Sequence, residues 1–186
     1  MNDKLRLLSL DVEKNGLHGI AFAVGAVVLD HVGNVLDTFR GRSPIDGTPR
    51  DFVKREVLPA LVDYPETHSS SELLRVDFWN WFSIARIDAC VFADCGWPSE
   101  ARFFIALVED DLDVRYLQGP FPLHDVSTLL LAAGVDPHIN RVEYAGDLLG
   151  DQNGFQHDPW WDAFVSGHCA LRALRALGTI PATTVE

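Results

Sequence analysis

Polar and apolar residues alternate through the first part of the chain and later recur at helical spacing. Lys4–Glu13 alternates charges with aliphatics before becoming Leu-Leu-Ser-Leu, and Gly19–Asp30 is rich in β-formers, so both read as strands. His31-Val-Gly-Asn34 supplies turn residues, and Val35–Arg42, with Val35 and Phe39 among polar neighbours, completes an antiparallel opening meander. Phe52, Val53, Val57, Leu58 and Leu61 within Pro49–Val62 predict an amphipathic helix. Leu73, Leu74, Phe78, Trp81 and Phe82 within Ser70–Ala85 predict another. Ile87–Ala93 is a short aliphatic run between charges, the mark of a buried strand, and Pro98–Val108 starts with proline at a first helical position. Leu123–Ala133 reads as a helix capped by Asp125 and stopped at Gly134, whereas Val142–Gln156, polar and glycine-containing, reads as a mobile connection. Asp158-Pro159 caps a long C-terminal helix whose apolar spacing runs from Trp161 to Leu177.

This order predicts an α/β domain: a mixed sheet with antiparallel opening strands, flanked by helices and closed by the long C-terminal one. With 186 residues and no Pro/Gly/Ser-rich or single-sign interruption, one domain over residues 1–186 is the expectation. The longest apolar runs, Ala21–Leu29 and Leu129–Ala133, are too short for a bilayer, and the opening residues lack an export pattern. Cys90, Cys95 and Cys169 have neither an even count nor Cys-x-x-Cys spacing, which argues against a disulfide scaffold or thiolate zinc site. Reduced thiols in the cytoplasm are the expectation.

A formal net charge of −12 disfavours tight nonspecific binding to duplexes, because phosphate contacts are driven by lysine and arginine releasing counterions. The densest cations, Arg40, Arg42, Arg50, Lys54 and Arg55, read either as ordinary surface charge or as the path of a short strand.

Two acids stand out in this setting. Asp11-Val-Glu13 lies near the end of an apolar strand, so the period of two puts both carboxylates on one face, where they repel unless a cation joins them. Oxygen donors of this kind suit magnesium or manganese. Taken alone, an Asp-x-Glu pair is more often a solvated strand edge. His157 precedes the last helix, five positions before Asp162, and an imidazole titrating near ~6.5 can accept a proton from water at neutral pH.

Asp11-Val-Glu13-Lys14-Asn15-Gly16-Leu17 resembles the first motif of the DEDDh family of 3′–5′ exonucleases, Asp-x-Glu-Thr-Thr-Gly-Leu. His157-Asp-Pro-Trp-Trp-Asp162-Ala163 is similar to that family's third motif, His-x-x-x-x-Asp-Ala. Lys14-Asn15 replaces the two threonines. The middle motif, Asn-x-x-Phe-Asp-x-x-Phe-Leu, looks like Ala93–Phe104, with Glu100 and Asp94 competing for the acid's role; Glu100, followed by Phe103 and Phe104, is preferred. Helix capping is the bland alternative for Glu100, and Arg102 could pair with either acid.

The resemblance implies a ribonuclease-H-like sheet and hydrolysis at nucleic-acid 3′ ends, of single-stranded DNA or RNA, with two magnesium or manganese ions. It implies that Asp11 bridges the ions, that Glu13 and Asp162 complete the first shell, and that Glu100 or Asp94 helps to hold the second. It makes His157 the proton acceptor and assigns Lys14, Asn15, Gly16 and Leu17 to the terminal nucleotide. Trp97 and Trp160, flanking the acids, are candidates for base stacking, with core packing the alternative. Two other readings stay open: a noncatalytic nucleic-acid or protein-binding module on the same fold, and a phosphodiesterase for very short oligonucleotides. Oligomeric state is open too, a homodimer included.

Overall fold

Three strands open the chain in the computed structural model, which describes residues 5–180: β1 (Arg6–Lys14), β2 (Ala21–Leu29) and β3 (Val35–Arg42). A π-helical turn (Val53–Val57) runs into α1 (Leu58–Ala60), followed by α2 (Ser71–Ala85), β4 (Ala89–Ala93), α3 (Ser99–Glu109) and α4 (Leu112–Arg115). Then come β5 (Leu123–Asp125), α5 (Val126–Ala132), α6 (Arg141–Ala145), a 3₁₀ turn (Gly146–Leu149) and α7 (Pro159–Ala176). Among the described residues no helix is long and apolar enough to cross a membrane.

The sheet order is β3-β2-β1-β4-β5, antiparallel across the first three strands and parallel from β1 to β4 and β5. As the central strand, β1 is covered on both faces, which is why its aliphatic positions are nearly continuous. Leu8, Leu10 and Val12 face the aromatic layer of α2 and α3, where Phe78 meets Phe39 edge-on at 5.2 Å and packs against Phe82 and Phe103. Leu7, on the opposite face with Ser9, Asp11 and Glu13, packs under α7 together with Val27, Leu29 and Phe164. Truncating Phe78, which is fully buried, would cost about 3–5 kcal/mol.

Close approach of α7 to the sheet depends on two glycines. A Cβ on Gly167 would lie 2.9 Å from Leu29 Cδ1, and one on Gly25 would lie 2.1 Å from the backbone nitrogen of Trp160. Gly25 pairs with Asp11 across β1 and β2, so the start of α7 rests on the sheet beside that acid.

Three elements differ from the sequence reading. Residues 123–125 are not helical but extend as β5, pairing Val91 with Leu123 and Ala93 with Asp125; the helix starts only at Val126, capped by Asp125 as anticipated. Residues 142–156 are not a bare connection: they include α6, capped by Asn140, and the 3₁₀ turn, with Ala145 and Leu149 buried beneath α7. The amphipathic helix expected over 49–62 is shorter, spanning 51–60, and passes through a π-turn. Pro59 has no N–H to close an ordinary turn, and the Leu58 amide reaches back to Val53 O.

Candidate active site

The end of β1 delivers two acids to the α7 face, and α7 answers with a third. Asp158 caps α7 by accepting from the Trp160 and Trp161 amides, and this sets Asp162 in the first turn above Asp11 and Glu13. A register irregularity between Glu13 and Lys14 ends the regular pairing with β2 just where the acids emerge. Glu100, in the first turn of α3, reaches the same strand end from the other side and is buried.

His157 sits in the left-handed region, with φ +71°. A non-glycine residue held there costs about 1–3 kcal/mol and persists only where its surroundings dictate it. Two contacts do so here: its backbone N–H donates to Asp162 Oδ2 at 2.7 Å, and its Nδ1 lies 2.9 Å from Glu13 Oε1. The Phe52 ring meets the imidazole edge-on, with centroids 5.4 Å apart. Glu13, His157 and Asp162 each bring a ligand atom within 4.8 Å of the others.

Crowding and partial burial disfavour the charged forms of these acids. Burial, then repulsion by Asp162, Glu13, Glu100 and Asp94, raises Asp11 well above the ordinary carboxylate range. Burial also raises Glu13, against the stabilising hydrogen bond from His157. Asp162 is pushed up to about 7, first by burial, while the His157 amide opposes the rise. Glu100 is likewise pushed up to about 7 by burial, against the amides of Glu100 and Val12 and the charge of Lys14. The hydrogen bond to Glu13 raises His157 in turn. Mostly oxygen donors, mutually repelling and half-desolvated, make a set that fits hard divalent cations, because a cation would relieve both costs.

The two candidates for the middle acid have different surroundings. Asp94 lies in the grip of Arg141, whose Nε donates to Asp94 Oδ1 at 2.6 Å while its other nitrogens bond Ser127 Oγ and the carbonyls of Pro137 and Ile139. Among the described residues Glu100 has no such ion pair, and Arg102 forms none with either acid. Arg141 left no trace in the sequence reading, since only the fold brings it to Asp94.

Of the residues assigned to the terminal nucleotide, two have side chains engaged elsewhere. Lys14 is buried, with Nζ 3.4 Å from Ser99 O and its pKa lowered first by burial. Asn15 Nδ2 donates to the carbonyls of Asp46 and Thr48, and its Oδ1 accepts from the Arg50 amide, so it straps the following loop to β1. Gly16, at φ +82°, lies under the Arg50 side chain, and Leu17 is exposed.

Most of the cation group is paired: Arg42 holds the carbonyls of Leu61 and Tyr64, Arg40 pairs with Asp158, and Lys54 and Arg55 lie beside Asp51 and Glu56, whereas Arg50 is exposed over Gly16. Trp97 is exposed at 70%, whereas both faces of Trp160 are covered, by Phe164 at 5.4 Å and by Arg40 at 5.3 Å, which excludes it as a stacking platform.

No protein-family model and no curated sequence matches the chain. Solved structures do. The nuclease domain of 3′hExo, a DEDDh family member bound to rAMP, superposes with a TM-score of 0.56 at 11% identity, over 97% of this chain and 96% of that one. The two share one fold. A zinc-bound E. coli ExoI–ssDNA complex gives 0.62 at 12% identity, and a further exonuclease I structure gives 0.55 at 15%. The chain matches 94% and 95% of its own length in those two and spans 41% of each exonuclease I chain. The overall fold is thus shared with these exonuclease structures despite very low identity.

Proposed function

We propose that this protein is a metal-dependent 3′–5′ exonuclease that removes nucleotides from the 3′ ends of single strands. The observation that carries the reading is the convergence of Glu13, Glu100 and Asp162 on Asp11, with the His157 imidazole hydrogen-bonded to Glu13 from a strained backbone conformation. Fold kinship with 3′hExo and with an exonuclease I bound to ssDNA supports it.

Asp11, Glu13 and Asp162, with Glu100 preferred over the already paired Asp94, would hold two magnesium or manganese ions. Such ions supply charge to orient and activate water and to stabilise the departing 3′-oxygen. Among the chain's own groups, His157 handles the proton. With Nδ1–H donated to Glu13 Oε1, the lone pair is on Nε2, which has no hydrogen-bond partner among the described residues. The water oxygen bonds to phosphorus, the bond from phosphorus to the 3′-oxygen breaks, and the water's proton passes to Nε2. Glu13 steadies the imidazolium so formed. Leu17, and the Phe52 ring edge-on to His157, offer apolar surface for the terminal base.

Short substrates are favoured over long tracts, because Arg40 and Arg42 are committed to internal partners and the chain carries a formal net charge of −12. A series of 5′-labelled DNA and RNA strands, from dinucleotides upward, incubated with magnesium or manganese should shorten stepwise from the 3′ end. Internal cuts, or no cleavage with either metal, would defeat the proposal.

A further inference from the structure

Arg40, a member of the cation group, reaches the residue that follows His157. It stands on β3 opposite Gly25, which itself stands opposite Asp11, so the three occupy one row across the sheet. Its guanidinium lies over two rings, 4.6 Å from the Tyr64 centroid and 5.3 Å from that of Trp160, and Nη2 meets Asp158 Oδ2 at 3.1 Å. Tyr64 is fixed in turn, its hydroxyl donating to Val24 O at 2.7 Å. Asp158 is therefore held at both oxygens: Oδ1 caps α7 and Oδ2 is tied to the sheet edge.

We propose that Arg40 is a positioning residue for His157, acting from β3 through Asp158. His157 has two neighbours in this restraint. Asp162 holds its amide from the helix side, and Asp158, next in the chain, carries the restraint from the sheet. A guanidinium suits the task because it can lie flat between two rings while donating to a carboxylate. Loss of the restraint frees the residue whose left-handed backbone aims the imidazole, and a displacement near 1 Å at a reacting group costs about 10²-fold in rate. The catalytic consequence rests on the reading of His157 as proton acceptor; the structural restraint does not.

Two kinds of measurement separate these. Arg40→Met in the metal-free protein should speed amide hydrogen exchange across residues 157–162 while exchange in β1 and β2 stays unchanged. Asp158→Asn, which keeps a capping oxygen and loses the charge, should do the same. In turnover, Arg40→Met should lower kcat about 10- to 100-fold with KM unchanged, Arg40→Lys should recover part of it, and Arg40→Met added to His157→Ala should cause no further loss. Unchanged exchange at 157–162 would overturn the positioning role. A raised KM at constant kcat would instead make Arg40 a substrate contact, and a full multiplicative loss on top of His157→Ala would show that it acts elsewhere. An inactive parent protein would refute the exonuclease reading and leave exchange to decide the role of Arg40.

Discussion

Gly25→Ala tests whether the site depends on how closely α7 approaches the sheet. The added methyl would sit 2.1 Å from Trp160 N, 2.2 Å from Pro159 C and 2.4 Å from Pro159 O, all backbone atoms of a capped helix start. Ordinary contact begins near 3.4 Å, so α7 must retreat by about 1.3 Å at its N-terminal end. Overpacking of this kind costs about 1–3 kcal/mol, and in a chain of this size each kcal/mol lowers Tm by about 2–4 °C, giving a fall of about 2–12 °C. The same retreat carries Asp162 and the His157 amide away from Asp11 and Glu13, so turnover should fall about 10²-fold beyond any loss of folded protein. Calorimetry with single-turnover cleavage reads both. A variant with parental Tm and parental rate would refute the claim that this contact sets the acid geometry.

Metal-free stability should depend on pH with a definite sign. Burial pushes Asp162 and Glu100 up to about 7, above their ordinary 3.8 and 4.5, so their contribution is fully present only below pH 3.8 and is lost as pH rises through 7. Tm without metal should drop between pH 5 and 8, magnesium should restore it at pH 8, and Asp11→Asn should flatten the metal-free profile; a Tm rising over that range would contradict the crowding. Glu100→Gln should abolish most magnesium-dependent activity, whereas Asp94→Asn should chiefly lower Tm by loosening the Arg141 clamp, and equal mild effects would remove both from the metal site. His157→Ala should slow cleavage by about 10²–10⁴ while calorimetric metal affinity holds; loss of metal binding would make the imidazole a ligand.

Local patterns were the legible part of this protein. The meander, α2, α3 and α7 follow from alternation, helical spacing and the Asp158-Pro159 cap, and Asp11, Glu13, His157 and Asp162 fall within two short motifs that the chain itself displays. β5 was hidden because three residues carry no period, and its strand character comes from pairing with β4. The π-turn reflects Pro59 inside an otherwise helical pattern. Spacing alone does not separate Glu100 from Asp94, because the Arg141 clamp that distinguishes them depends on a distant segment. Gly25, Phe52 and Arg40 matter through what the fold sets against them, which no spacing along the chain records.

The central claim is hydrolysis from the 3′ terminus at a carboxylate-held metal site, and a single strand labelled at its 3′-terminal nucleotide tests it most directly. With magnesium or manganese the parent protein should release labelled mononucleotide as the first product, and chelator, Asp11→Asn or Asp162→Asn should each stop that release. Label appearing first in longer fragments, or release undiminished in both variants, would contradict the account.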